Sequence, residues 1–307
     1  MRLPHVLALL LGAGSCTAPE RKPTGECPPI HAGLAQGKDP KPVRAGRFDH
    51  APVATCTGNL LQEEFQDLRA WSPRSTAARE LYENASFEPP AVSVSGGKLA
   101  ITASFGKGDG TGCLDEHGGQ VTYAAREFAA SDGALYEAIM KPSGEKGVVS
   151  AFFAHRIDGS TKRPTTCQNN HEIDVEVIRM ADGELRVYFT TWIHSRSVWS
   201  PCGPSVCEQG FNDAYWDDRQ QESNFAVLSD RFASEFHAYG FRWTPQAVEF
   251  LIDGELLATH RVVVPSGPMP LKVNTWFAQA WACRGKCPCT VAASGTAEVE
   301  RICVSRG

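Results

Sequence analysis

The sequence predicts an all-β fold, a sandwich or a barrel, and three observations support this. Short segments in which apolar and polar residues alternate recur along most of the chain, as in strands that bury one face. Turn dipeptides such as Asp182-Gly183 and Asp253-Gly254 separate several of these segments. The 28 Gly and 20 Pro interrupt the sequence too often for a helical protein. We therefore expect many short strands joined by turns.

The strand pattern begins near residue 58 and continues to the end of the chain. Gly96-Gly97 joins the first two predicted strands as a hairpin. The apolar run 148–154 suits a buried strand, whereas 65–71 predicts a short helix or turn. The predicted strands are 91–94, 99–103, 134–140, 148–154, 172–178, 185–192, 236–243, 247–252, 256–264, 271–277 and 297–304.

The N-terminus has the pattern of an export signal. Met1-Arg2 is positively charged, and residues 3–14 form a largely apolar stretch that is too short for a permanent membrane span. Small residues then precede Cys16, as in the cleavage box of bacterial lipoproteins, although Ala13 stands where a large aliphatic residue is usual. The sequence predicts a signal peptide over 1–16 and a lipid anchor at Cys16. Ordinary secretion, with cleavage near Cys16, is the alternative.

The remaining sequence divides into a Pro/Gly-rich linker over 17–57 and one domain over 58–307. The net charge is −5 and no stripe of basic residues is present, so a nucleic-acid partner is not expected. We expect a monomeric protein that is exported to the cell surface or the periplasm, or otherwise secreted.

Cysteine content indicates disulfides. The chain has 11 Cys, and setting Cys16 aside leaves 11 − 1 = 10, an even number. In an exported protein this predicts about five disulfides of undetermined pairing. The spacing of Cys283, Cys287 and Cys289 differs from that of common zinc sites, so disulfides are favoured over a metal there.

The strongest chemical signal is a row of alternating acids, Glu172-Ile173-Asp174-Val175-Glu176. Successive side chains on a strand point to opposite faces, so the three acids share one face and the aliphatic residues between them face the core. Adjacent carboxylates repel one another, which lowers stability and calls for a function or a bound cation. Paired catalytic carboxylates, a calcium site and a solvated acidic face are the alternatives.

The spacing of the two glutamates suits paired-carboxylate catalysis. Cα atoms at i and i+4 of a strand lie about 13 Å apart, and side chains that lean together bring their carboxyl groups within about 5–6 Å. Retaining glycosidases hold these groups about 5–5.5 Å apart and inverting ones about 6.5–9.5 Å apart. We therefore expect one glutamate to attack the anomeric carbon and the other to act as acid and then base.

The segments around the acid row resemble a known family in their order. Residues 136–142 and 147–153 precede the Glu-x-Asp-x-Glu row, and together they resemble the catalytic region of family 16 glycoside hydrolases, which include lichenases and laminarinases. The row matches the family motif in its shorter form, without a bulge. Later segments continue the resemblance, which covers about residues 58–305: 236–245, 250–255 and 297–304.

This resemblance implies a fold and a reaction. It implies a β-jelly roll of two curved antiparallel sheets, in which the concave sheet forms a cleft for a glycan chain. It also implies that Glu172 is the nucleophile, Glu176 the acid/base and Asp174 an assisting group. The expected activity is retaining, endo-acting hydrolysis of β-1,3- or β-1,3-1,4-glucan or a related β-linked polysaccharide, with no catalytic cofactor. A transglycosylase and a non-catalytic lectin-like surface protein are the alternatives.

Further cleft residues lie on two other strands. Asn274-Thr275-Trp276 resembles the family's Asn-x-Trp, in which Asn274 would bond a sugar hydroxyl and Trp276 would stack on a pyranose. A core position is the alternative for Trp276. Tyr188, Thr190 and Trp192 share one strand face by alternation, and we expect them to line the cleft.

Two single positions are also carried over from the resemblance. Arg126 lies about where the family often has a sugar-binding arginine, with a surface arginine as the alternative. Glu300 lies where a ligand of the family's structural calcium is expected, on the convex side. The loops 195–221 and 283–289 match nothing in the simpler members, so the resemblance leaves the linkage that is cleaved open.

The lipoprotein box yields a direct prediction. Cys16→Ser should release the protein from the membrane fraction, because no thiol remains to carry lipid. Fractionation and intact-mass measurement of the mature protein check this. A wild-type protein that starts at another residue and carries no lipid mass would show that the prediction is wrong.

Overall fold

The computed structural model of the chain describes residues 41–43, 59–75, 85–105, 116–158, 169–193, 220–282 and 294–306. Within these residues lie seventeen strands, one short α-helix, α1 (Gln279–Ala282), and three 3₁₀ helices, Pro89–Ala91, Ala130–Asp132 and Asp230–Ala233. No helix in the described part of the chain is long and apolar enough to cross a bilayer. The strands are β1 (Lys41–Pro42), β2 (Leu61–Glu63), β3 (Trp71–Pro73), β4 (Ala85–Phe87), β5 (Val92–Ser95), β6 (Lys98–Phe105), β7 (Glu116–Tyr123), β8 (Ala134–Lys141), β9 (Val148–Asp158), β10 (Asn169–Arg179), β11 (Leu185–Ile193), β12 (Gln220–Leu228), β13 (His237–Trp243), β14 (Val248–Ile252), β15 (Glu255–His260), β16 (Leu271–Phe277) and β17 (Ser294–Arg306).

The strands form two sheets. The cleft sheet has the order β1-β12-β11-β10-β9-β16-β7-β3, and the outer sheet has the order β15-β14-β13-β8-β17-β6-β5, with β2 also on β17. Strand β7 pairs with β16 in the first sheet and with β6 in the second, so it joins the two. All pairs are antiparallel except β1–β12 and β4–β7. The predicted all-β jelly roll of two curved antiparallel sheets is confirmed.

One hydrophobic core fills the space between the sheets. On β10 the aliphatic residues that separate the acids are fully buried in this core, as their alternation predicts. Large aromatic side chains from the outer sheet pack opposite them, with a stacked pair at 5.1 Å between Tyr136 and Phe241. The core residues of β10 are Ile173, Val175 and Val177.

Two-residue turns set the register of several hairpins. Gly96 and Gly97 both have positive φ, as do Asp253 and Gly254, which is the backbone that a type I′ turn requires. The carboxylate of Asp253 also accepts bonds from the Ala238 N–H and from the His237 ring, at 2.8 and 2.7 Å. These turns therefore fix the register of the strands that they join, and so which side chains face the core.

Several strand predictions need correction, and the short strands β2, β3 and β4 were not predicted. The strand predicted over 256–264 ends at His260, because the backbone N–H groups of 261–263 all donate to one carboxylate oxygen of Glu222 instead of to a neighbouring strand. Strand β7 was not predicted, since its Gly118-Gly119 interrupts the alternation. Strand β12 begins inside the segment predicted as a loop over 195–221.

The predicted linker contributes to the cleft sheet. Lys41 and Pro42 pair in parallel with β12, and the Val43 N–H donates to the Phe225 carbonyl at 2.9 Å. The signal peptide, Cys16 and the Cys283–Cys289 segment lie outside the described residues. Cys303 on β17 is buried and disulfide-bonded.

Close packing at Gly240 predicts a stability effect. A Cβ atom there would lie 2.5 Å from the Tyr136 carbonyl oxygen on β8 and 2.8 Å from Glu137 Cγ. Gly240→Ala should therefore lower the free energy of unfolding by about 1–3 kcal/mol, measured by urea titration. Gly267→Ala is the control, because nothing lies within 4 Å of a Cβ atom at Gly267. Equal midpoints for the two variants would contradict the prediction.

Candidate active site

The acid row occupies the centre of the cleft sheet. Strands β9 and β11 flank β10, so each acid has one cross-strand neighbour on either side. Ala151 on β9 and Tyr188 on β11 lie directly opposite Glu176. Directly opposed residues of antiparallel strands share a face, so these two side chains lie on the same face as the acids. Glu172, at the other end, lies between His155 on β9 and Trp192 on β11.

The three acids differ in exposure. Asp174 is buried, with 5% of its surface exposed, whereas Glu172 and Glu176 are partly exposed to the cleft. The indole N–H of Trp192 donates to Asp174 Oδ2 at 3.0 Å. Trp192, which was expected to contact substrate, thus also fixes the middle carboxyl group of the row.

Burial and mutual repulsion shift the protonation of the row. Loss of solvation is the main cause that raises the pKa of Asp174 well above its ordinary value, and the charges of Glu172 and Glu176 add to it. The hydrogen bond from Trp192 and the charge of Lys272 oppose this shift. Desolvation, followed by the charge of Glu172, raises the pKa of Glu176 to about 8. At neutral pH Glu176 therefore holds a proton that it can donate.

An aromatic wall stands beside Glu176. Tyr188 is buried and stacks on Phe225 at 5.7 Å, and its ring meets Trp281 of α1 edge-on at 4.6 Å. Its hydroxyl accepts a bond of 3.4 Å from Arg186. The prediction placed Tyr188 on this face correctly. Phe225 and Trp281 were not predicted, because β12 and α1 had no recognisable pattern.

Strand β16 adds Asn274 and Trp276 to the same face. Asn274 lies in line with Ala151 and therefore with Glu176, two strands away. It is buried, and its Oδ1 has no hydrogen-bond partner among the described residues. Trp276 is partly exposed and packs on the apolar residues of the cleft face, a cluster distinct from the main core. Stacking of Trp276 on a sugar stays a prediction.

Two polar residues of this face were missed by sequence reasoning. Lys272 lies two residues before Asn274 and so on the same side of β16, a position that the period of the strand could have revealed. His155 continues the alternation of β9, but the predicted strand ended at residue 154. Lys272 Nζ and His155 Nδ1 are 2.7 Å apart.

Thr190 and Arg126 make contacts with other protein groups. Thr190 is buried and its hydroxyl lies 3.1 Å from that of Ser223. The Arg126 guanidinium stacks over Phe128 at 4.4 Å and lies 3.8 Å from Asp132, and neither partner belongs to the acid row. Sugar binding by Arg126 stays a prediction.

The calcium prediction concerns Glu300, on the outer sheet. Glu300 lies on β17, where the pairing with β8 shifts register between Val299 and Arg301. No group of three or more His, Cys, Asp or Glu residues that could hold a metal occurs among the described residues. Calcium binding by Glu300 stays a prediction.

The fold and the site together define a class of protein. A jelly roll whose cleft face carries two glutamates on one strand, one of them with a pKa raised to about 8, has the arrangement of a glycoside hydrolase. The model of the family "Glycosyl hydrolases family 16" matches residues 127–292, more than half of the chain, and includes the whole acid row. The chain belongs to this family.

Comparison with known proteins agrees with this assignment. A β-glucanase of Bacillus amyloliquefaciens is 27% identical over 142 residues, which are 46% of this chain and 46% of that protein. A β-glucanase of Acetivibrio thermocellus is 24% identical over 237 residues, 75% of this chain and 58% of that protein. The chain thus spans about half the length of the curated relatives it matches.

Among solved structures, the β-glucanase of Bacillus licheniformis has the same fold. Its TM-score to this chain is 0.57 at 17% identity, and the match covers 80% of this chain and 98% of that one. This similarity supports the architecture of the two sheets.

The raised pKa of Glu176 predicts how stability depends on pH. An unperturbed glutamate has a pKa of 4.5, and folding raises the pKa of Glu176 to about 8. Between these values the folded state binds one more proton than the unfolded state, so the free energy of unfolding falls as pH rises. Glu176→Gln should remove this contribution and lose less stability than the wild type between about pH 5 and pH 8.

Urea titrations at both pH values provide the measurement. Glu298→Gln is the matched control, because Glu298 is a partly buried glutamate of the outer sheet, paired with Lys141 at 2.8 Å. The control should keep the pH dependence of the wild type. An identical pH dependence for Glu176→Gln and the wild type would contradict the assignment.

Proposed function

We propose that this protein is a retaining, endo-acting β-glucan hydrolase that uses Glu172 as nucleophile and Glu176 as acid/base. One observation carries the proposal: Glu176 keeps its proton near neutral pH partly because Glu172, on the same strand face, bears a negative charge. Double displacement needs this division, with one carboxylate free to attack and one carboxylic acid ready to protonate the leaving oxygen.

The catalytic cycle follows from these two states. Glu172 attacks the anomeric carbon while Glu176 passes its proton to the glycosidic oxygen, which leaves a glycosyl ester on Glu172 and Glu176 ionised. Glu176 then removes a proton from water as the water oxygen attacks the anomeric carbon. The bond from that carbon to Glu172 breaks, so Glu172 leaves as a carboxylate and Glu176 is protonated again. Asp174 lies between them and, through the Trp192 N–H, holds the row in a fixed geometry.

The glycan lies along the cleft sheet in this proposal. Trp276 presents a partly exposed ring that suits stacking on a pyranose, and Asn274 Oδ1 offers an acceptor to a sugar hydroxyl. Both lie on the side of Glu176 that faces away from Tyr188. β-1,3-glucan and mixed-linkage β-1,3-1,4-glucan are the proposed substrates, in line with the β-glucanases that the chain resembles.

The proposal extends to where the protein acts. We infer an exported monomer that is held at the cell surface or in the periplasm by lipid on Cys16. Its cysteines form further disulfides besides that of Cys303. Mass spectrometry without reduction counts the free thiols and tests this proposal, and we expect few of them.

A substrate panel tests the activity. Laminarin, mixed-linkage β-glucan, galactan and xyloglucan are incubated with the full chain, and new reducing ends are measured. Release of short oligosaccharides from the first two is expected. Lengthened products that appear only with added acceptor would instead identify a transglycosylase, and binding without cleavage would identify a lectin-like protein.

Glu172→Ala should abolish hydrolysis and leave the fold intact, since it removes one acid from a repelling row. Azide should restore turnover of an activated β-glycoside, because a small anion fits the vacated space and attacks the sugar. The product should be the α-glycosyl azide. Failure of azide to rescue the folded variant would argue against Glu172 as nucleophile.

Glu176→Ala should behave differently from Glu172→Ala. It should lower hydrolysis of natural glucan about 10²–10⁴-fold, retain reaction with substrates whose leaving groups need no proton, and give a β-glycosyl azide. NMR of the first wild-type product gives an independent measurement. A new reducing end that appears first as the α-anomer means inversion, and the mechanism would then be wrong.

A further inference from the structure

Lys272 is the cationic group that β16 adds to the cleft face near the acid row. In the register of the sheet, Asp174 lies opposite Phe153 on β9, and Phe153 lies opposite Lys272 on β16. The three side chains therefore share one face, with Lys272 two strands, or about 10 Å, from Asp174 in the backbone. A lysine side chain is long enough to span much of this distance.

The ammonium group of Lys272 has a defined partner. It lies 2.7 Å from His155 Nδ1 and 5.8 Å from the centre of the Phe153 ring. Because an ammonium group only donates hydrogen bonds, Nδ1 is the acceptor and the proton of the neutral imidazole is on Nε2. Protonation of Nδ1 would break this bond and place two cations side by side. His155 is in turn the cross-strand neighbour of Glu172.

The charges around Lys272 come from three other elements. Glu172 and Asp174 of β10 favour its charged form, His155 of β9 accepts a hydrogen bond from it, and Arg74, next to β3, disfavours its charge. Burial has the largest effect. Together with Arg74 it lowers the pKa of Lys272 to about 8, although the charges of Glu172 and Asp174 raise it. The amine is therefore mainly charged at neutral pH.

Burial of this charge calls for an explanation, because an apolar side chain of the same length would pack on Phe153 at a lower desolvation cost. The groups that stabilise this charge are Glu172 and Asp174 of the acid row and His155, which lies beside the row. In the same way, the charge of Lys272 is one of the two effects that oppose the raised pKa of Asp174. The lysine is thus electrostatically coupled to the row.

We propose that Lys272 is a positioning residue for the nucleophile: its charge offsets the repulsion within the acid row, and its hydrogen bond holds His155, beside Glu172, in the Nε2–H tautomer. This inference rests on the proposed function for its catalytic consequence. It gives the cleft two unlike ends, because a cation supports Glu172, whereas the cross-strand neighbours of Glu176, Ala151 and Tyr188, are uncharged.

The pH profile of kcat/KM on a neutral β-glucan tests the proposal. Lys272→Met keeps the length of the chain and removes the charge, so the acidic limb should move up by about 1–2 pH units. Lys272→Arg keeps a charge and should leave this limb near its wild-type position. Lys141→Met is the matched control, because Lys141 is a partly buried lysine that pairs with an acid in the outer sheet, and it should leave the profile unchanged.

One kinetic outcome would overturn the proposal. If Lys272→Met raises KM while the acidic limb stays in place, Lys272 only binds sugar. Thermal unfolding of each variant establishes that it is folded, and Lys272→Gln replaces the methionine variant if that one does not fold.

NMR of the free protein separates this proposal from the proposed function. Titration of the glutamate side-chain carboxyl carbons, assigned with Glu172→Gln, should show that Glu172 titrates at higher pH in Lys272→Met than in the wild type. Ring nitrogen shifts of His155 should change from the Nε2–H tautomer to a mixture. If neither changes, the Lys272 proposal is wrong even when the enzyme is active. If the wild-type protein cleaves no glycan in the panel while Lys272→Met shows both NMR changes, the proposed function is wrong and the Lys272 proposal stands.

Discussion

The site depends on one constraint, that β10 buries one face and carries mutually repelling acids on the other. Ile173, Val175 and Val177 are fully buried, and each contributes about 1.5–3 kcal/mol by leaving water. A slip of one residue in the register would place these aliphatic residues in the cleft and the acids in the core. Burial of the aliphatic face therefore keeps the three acids side by side on the cleft face in spite of their mutual repulsion.

The strands beside β10 give the two glutamates different surroundings. Glu176 has Ala151 and Tyr188 as neighbours, and the desolvation at that end keeps it protonated. Glu172 has His155 and Trp192 as neighbours, which carry polar N–H groups. Two residues of the same type on the same strand thus have different neighbours, and in the proposed mechanism one serves as the acid and the other as the nucleophile.

Asp174 couples the two ends of the row. It is the most buried of the three acids, and its hydrogen bond to the Trp192 indole links β10 with β11. A change at either glutamate alters the charge that Asp174 experiences, and both contribute to its raised pKa. A substitution of either glutamate should therefore also change the protonation of Asp174.

The sequence by itself determined the all-β architecture, most strand positions and the face that carries the acids. These follow from local rules, since the period of two fixes which side chains share a face and the Gly-containing dipeptides fix the turns. The resemblance to the family's Asn-x-Trp placed Asn274 and Trp276 together, and the period of two along β16 could also have found Lys272.

Only the tertiary structure decided which strands lie beside β10 and what they contribute. The contact between Lys272 and His155 joins residues that are 117 positions apart in the chain, and the stacking of Phe225 on Tyr188 depends on a strand with no sequence signature. Pairing between distant strands depends on the packing of the whole core, which no local pattern encodes. The protonation of Glu176 follows from that pairing, because desolvation and the charge of Glu172 set it together.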